Sequence, residues 1–527
     1  MGGAITYTAV ALSDQPAPGT PAGVRFGSFS DQNPVAINAA GQSGFSASLY
    51  GPGVTNETGY GLWAGAPGAL GMVKRAGDPA PGTLAGVTFG NFIPDVTLNA
   101  AGRMSFYSFI NGPGTNTSNQ GIWSGAPGNV VLLAREGDPA PGTSAGTRYL
   151  DLGFLPKINA AGQSSFYASL AGTDVTVDDD TAYYLGAPGS VALLAREGNP
   201  APGLPAGVKY GELDGNPPRL NAAGKAAFAT PLTGPGVTSG NNLALWSGAP
   251  GSVALLARKG SPAPGTDAGV NFSSLGDPTI NAAGQSTFRG GLAGPGVTNT
   301  NANGLWTGAP GSVAVLVRAG SPAPGTPAGV NFRDFGASPS INAAGESGFV
   351  GFLTGTGVTA TNNTGLWVGA SGSLRKVFTE GQAAPGAGAG VVFGDAFRLD
   401  VDTDPNEFAL NDRGDVAFAN YLTGGSVIGF HSLWLADAAG NLSLIVREGS
   451  PFQVAPGDSR TVSSFGFTGG SGDEDGLACG LNDRGQIAFQ VSFTDGSDGI
   501  FIAVPEPGSA ALLGLGAAAL IVLRRRR

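Results

Sequence analysis

The chain has 527 residues, of which 41% are hydrophobic and only 12% charged, with 91 Gly and 38 Pro. Its net charge is −10, and four of its 27 basic residues are the terminal run Arg524–Arg527, so no basic stripe remains elsewhere to bind nucleic-acid phosphates. One cysteine (Cys479) and one histidine (His431) exclude an internal disulfide and a Cys/His zinc site; a small buried thiol and a surface or loop imidazole are expected instead.

In chain order, Met1-Gly-Gly-Ala carries no basic region, and Ile5–Leu12 already reads as a β-strand, so an export signal is expected upstream of the given start. Then Asn-x-x-Gly-x-x-x-Phe recurs eight times, at Asn38, Asn99, Asn159, Asn221, Asn281, Asn342, Asn411 and Asn482, spaced 60 to 71 residues apart. A period of this size signals a repeat architecture. The Gly and Pro fall at fixed offsets between β-prone runs and read as turns, which argues against low-complexity disorder.

The unit around Asn281 shows four short β segments and no helical period. Asn suits the first position of a type I turn, and Gly three residues on tolerates the left-handed backbone that closes a hairpin with a bulge. The Phe then lies in the outgoing strand, facing a core. An aromatic of the third strand (Trp63, Trp123, Tyr184, Trp246, Trp306, Trp367, Trp434 and Phe501) precedes a second tight turn, most often Gly-Ala-Pro-Gly, and an outer strand.

Four strands repeated eight times predict an all-β, eight-bladed β-propeller over residues 1–503. A stacked β-solenoid is the rival, but its repeats are usually shorter. Seven units have an outer strand and the eighth has none, so Ile5–Leu12 is expected to complete the eighth blade and remove an exposed edge.

The tight turns should lie on one face. The other should carry the second-to-third-strand loops and the twenty-residue linkers between blades, and long loops are where binding sites usually sit. Acidic departures from the repeat fall there: Asp174 and Asp178–Asp180, then Asp400, Asp402, Asp404, Asn406 and Glu407, then Asp473–Asp475. Clustered oxygen donors suit Ca²⁺, so Asp400, Asp402, Asp404, Asn406, Glu407, Asp473 and Asp475 are candidate metal ligands, with solvated acidic loops as the alternative. Pro405 stands where a helix–loop–helix calcium site needs Gly. No catalytic constellation emerges, and the expected function is binding or structural; the alternative is a carbohydrate-active enzyme, a glycan hydrolase or lyase, using two of these carboxylates.

Residues 504–527 differ in kind: Val-Pro-Glu-Pro507, sixteen uncharged residues Gly508–Leu523, then four Arg. As a helix the uncharged run would span about 24 Å, slightly short of a bilayer core of ~30 Å. Its Arg cluster should stay cytoplasmic. This order resembles the PEP-CTERM sorting signal of exported bacterial proteins, with Pro505, Glu506 and Pro507 as the matching motif. The resemblance implies recognition by an exosortase, transient anchoring in the inner membrane by a C-terminal transmembrane helix, and a cell-surface or extracellular home among exopolysaccharide or biofilm components. The repeats resemble exported tandem-repeat proteins bearing Asn-x-x-Gly-x-x-x-Ala-Phe, best matched at Ala417-Phe418 and Ala488-Phe489, and their strand order resembles TolB-type propellers.

Overall fold

The computed structural model describes residues 5–29, 35–92, 96–115, 119–394, 408–425, 429–472 and 475–505. Among these there is no helix; eight antiparallel sheets follow one another along the chain. The all-β, eight-bladed expectation holds. The final strand runs from Asp498 to Pro505, two residues past the expected domain end. The apolar segment expected to cross a membrane lies outside the described residues.

A blade is built from its turns outward. In blade one, Gly41 N–H donates to Asn38 O (2.9 Å), Asn38 N–H donates to Gln42 O (3.0 Å), and Gly41 takes φ 81°. This is the predicted bulged hairpin, and a side chain at Gly41 would strain it. The strand that follows (Ser43–Tyr50) pairs with Tyr60–Ala66 so that Phe45 lies directly opposite Trp63. Both rings are fully buried and stacked at 6.3 Å, while Phe26 meets the Trp63 face edge-on at 4.9 Å. The same trio recurs, for instance as Phe272, Phe288 and Trp306. Removing one such Phe ring from water stabilises the fold by roughly 2–3 kcal/mol.

A buried indole N–H needs an acceptor. The recurrent Ala-Pro-Gly supplies it: Trp63, Trp123, Trp246, Trp306 and Trp367 donate to the carbonyls of Pro18, Pro81, Pro202, Pro264 and Pro324 at 2.9–3.3 Å. Trp434 uses its own strand instead, donating to Ser432 Oγ (2.8 Å). The twenty-residue linkers are therefore not plain loops. Each also carries a strand, such as Val330–Phe335, that pairs with the outgoing strand of the next blade. In most blades the first strand is thus split into this piece and a two- or three-residue inner piece such as Ser340–Ile341.

The cores lie between blades. Leu62, Ala64 and Val73 of the first blade pack with Phe89, Phe106 and Trp123 of the second. The second-to-third loops are clamped from below: Arg75, Arg196, Arg258 and Arg318 each donate through Nε to the carbonyl seventeen residues earlier (2.7–3.1 Å).

The ring closes as expected. Ile5–Leu12 pairs antiparallel with Asp498–Pro505, from Ile5 opposite Pro505 to Leu12 opposite Gly499. Deleting residues 1–13 should expose that edge. The expected outcome is a lower melting temperature together with concentration-dependent self-association, read by calorimetry and light scattering; a monomer of unchanged melting temperature would contradict the role given to this strand.

Candidate binding site at the channel mouth

The innermost strand pieces face the central axis and leave backbone N–H groups without sheet partners. A non-repeated segment, described over residues 468–472 and 475–480, reaches across the channel and supplies acceptors. Leu410 N–H donates to Gly470 O (3.0 Å), Leu220 N–H to Asp475 O (2.8 Å), Ile158 N–H to Gly476 O (3.3 Å) and Ile37 N–H to Cys479 O (2.8 Å). Glycine permits the close approach: a Cβ on Gly476 would sit 3.0 Å from Leu220 O. Cys479 is the buried thiol expected, its Sγ 3.2 Å from Leu481 O.

Asp475 belongs to this crossing segment, not to a loop surface. Its side chain is 3% exposed and pairs with Arg219, Nη1 to Oδ2 at 2.8 Å. The other proposed metal ligands, Asp400, Asp402, Asp404, Asn406, Glu407 and Asp473, lie outside the described residues. Among the described residues no group of three His, Cys, Asp or Glu side chains is placed to hold a metal ion. Asp174 and Asp178 are exposed on the blade-three loop. Asp179 is turned inward, accepting from Thr176 N–H (2.7 Å) and pairing with Arg196 (2.8 Å). In later blades Asn241, Asn301 and Asn362 close the same loop by the same bond. Asp179 is thus explained as a loop-closing acceptor. His431 lies in a strand (Phe430–Ala436), not a loop, with its ring 3.7 Å from that of Tyr421; burial pushes its pKa down, while Glu448 opposes this.

Beside the crossing segment, at the end of the channel away from the Asn turns, is a cavity of about 400 Å³. Leu155, Pro217, Pro218 and Leu477 give it apolar walls; Tyr183, Asp214, Asn216, Arg219, Asp277 and Thr279 give it polar groups. Tyr183 hydroxyl donates to Asp214 Oδ1 at 2.7 Å. Asn216 adds its backbone N–H to the same oxygen (3.1 Å) and its amide to Oδ2 (3.3 Å), fixing the carboxylate. Burial, then the Asp214 charge, raises the Tyr183 pKa. Desolvation also raises the Asp277 pKa; Asp214 adds to this and Arg219 opposes it.

Sequence reasoning passed over this cluster, although a signal was present. Seven units place Leu or Ile just before the third-strand aromatic (Leu62, Ile122, Leu245, Leu305, Leu366, Leu433 and Ile500), and unit three alone has Tyr183. The linker Leu213-Asp-Gly-Asn-Pro-Pro218 is equally unlike its counterparts.

A family model, "Family of unknown function (DUF7453)", matches residues 3–183 and 154–511. The chain belongs to this family. A second model, the PEP-CTERM protein-sorting motif, matches residues 503–527, so this member of the family carries the sorting signal of an exported, exosortase-recognised protein. No curated protein matches the chain. Among solved structures it is similar to the β-propeller domain of the trilobed protease from Pyrococcus furiosus (8% identity, 80% of this chain and 98% of that one, TM-score 0.36). It is also similar to a puromycin hydrolase (12% identity, TM-score 0.34), covering 77% of this chain and spanning about half, 50%, of that one. A third likeness is to an ulvan lyase (12% identity, 95% of each chain, TM-score 0.30). At these scores none carries an argument about function.

The Arg219–Asp475 pair generates a stability prediction. Arg219→Met strands a buried carboxylate and should cost about 3–5 kcal/mol; adding Asp475→Asn should recover most of it. Urea denaturation of both variants checks this, and equal losses in the single and double variants would contradict a paired role.

Proposed function

We propose that the protein is an exported, non-enzymatic surface or matrix protein that binds a glycan segment at its channel mouth. The observation that carries this reading is the asymmetric cluster of Tyr183, Asp214, Asn216 and Asp277 in an otherwise repetitive ring. Carboxylate and amide oxygens beside apolar walls suit a ligand rich in hydroxyls with hydrophobic C–H faces. The sorting tail supports an exopolysaccharide-rich setting, and a TolB-like propeller is a scaffold compatible with it. A Ca²⁺ site among Asp400–Glu407 and Asp473 belongs to the same reading as a separate loop-borne contribution.

The test is a thermal-shift and calorimetric titration with exopolysaccharide extracted from the producing organism. Binding should raise the melting temperature, and Tyr183→Phe or Asp214→Asn should weaken it at least tenfold with the fold intact. No shift, or undiminished binding by both variants, would remove the reading.

One observation favours a second reading. Asp277 has a raised pKa beside Asp214, the pattern of an acid and a partner carboxylate in one cleft. A glycan hydrolase would release reducing ends from the polysaccharide, and Asp277→Asn would abolish the release.

A further inference from the structure

The sorting motif begins inside the folded blade. In the eighth blade Phe501 faces Phe489 as Trp306 faces Phe288 in the fifth, which puts Pro505 at the register position of Pro310, the turn proline. Where other blades turn back into their outer strand, this one has Pro505 opposite Ile5 and the chain goes on into its tail. Pro505, the last described residue, therefore lies on the tight-turn face. Only Glu506 and Pro507 separate Pro505 from the uncharged run that starts at Gly508, a reach of about 10 Å even when fully extended.

The composition of that face agrees with its position. The tips of the Asn hairpins expose Ala pairs such as Ala100-Ala101, Ala160-Ala161 and Ala222-Ala223. The exposed charged side chains at those tips are basic, Lys225, Arg413 and Arg484, while Glu346, Asp412 and Asp483 are half-buried and Asp415 is buried beneath Arg413. The opposite face exposes acids, among them Asp174, Asp178, Glu212 and Asp214, although the whole chain is negative.

From this placement we infer that the tight-turn face of the propeller rests on an anionic lipid headgroup surface, with the channel mouth directed away from the membrane. The inference rests on reading the tail as membrane-inserted. The short tether forbids a free-standing propeller, the basic tips suit anionic headgroups, and the acidic face would be repelled by them. An eight-residue strand such as Ser286–Ala293 spans about 26 Å, so the two faces lie at clearly different heights. The channel mouth is then presented outward for as long as the tail is retained.

The test uses the full chain in vesicles of phosphatidylcholine and phosphatidylglycerol that carry a nitroxide on the headgroup. In a Cys479→Ala background, one fluorophore is placed at Ala222→Cys on the turn face or at Asn299→Cys on a long loop. Ala283→Cys serves as a second turn-face position should the first variant fold poorly. Flotation is measured first. Co-flotation with several-fold stronger quenching at Ala222 or Ala283 than at Asn299 is the expected result. Co-flotation with equal or reversed quenching would overturn the orientation alone. Failure to float would overturn membrane insertion and the orientation with it.

Discussion

The structure depends on a closed ring of eight asparagines. Each Asn Nδ2 donates to the backbone carbonyl of the next motif Asn: Asn38 to Asn99, Asn99 to Asn159, Asn159 to Asn221 and Asn221 to Asn281. The series continues through Asn342, Asn411 and Asn482, which returns to Asn38, and every link is 2.8–3.0 Å. The same side chain accepts the backbone N–H of the residue four positions on, as Gln42 gives to Asn38 Oδ1 (2.9 Å). One amide thus shapes the turn and joins the blade to its neighbour. All eight are at most 3% exposed. Asp, Ser or Thr could supply the acceptor of the turn, but at neutral pH Asp lacks the donor and the hydroxyls are shorter, which is why the motif is written with Asn.

Everything outside the ring fills the wedge between blades. Polar links join the blades near the axis, where the backbones crowd together, and aromatic volume fills the space farther out. The Phe–Phe–Trp trio fixes blade thickness, and in five blades the proline carbonyls that receive the indole N–H groups tie the linker down onto its own blade. Closure by Ile5–Leu12 is made by sheet hydrogen bonds: both ends of the described chain meet in one sheet. The two faces then differ in chemistry. One is built of repeated small turns, and the other gathers the departures from the repeat.

What the sequence reveals follows from periodicity. Eight motifs, their turn chemistry and the missing outer strand were enough to read the blades and the closure. Three features were hidden because they are not local or not repeated. The asparagine ring needs a partner 60 to 71 residues away, or 444 in the case of Asn482 and Asn38, and a local reading of Asn stops at its turn role. The strand inside each linker is masked by flanking Pro and Gly that read as loop. The channel-crossing segment occurs once, so Asp475 read as a loop acid when its partner, Arg219, is 256 residues away. Tyr183 and Asp214 were visible as departures, but only the fold shows that they meet.

The most direct test of this account is a matched pair of Asn→Asp substitutions followed by urea denaturation at neutral pH. Asn281→Asp keeps the turn acceptor but replaces the donor to Asn342 O with a buried carboxylate, and should cost on the order of 3 kcal/mol. Asn241→Asp places an acid where the blade-three loop already uses Asp179, and should change stability by less than about 0.5 kcal/mol. A clear gap between the two is the predicted result. Equal, small shifts would show that the inter-blade bonds of the asparagine ring do not hold the propeller together.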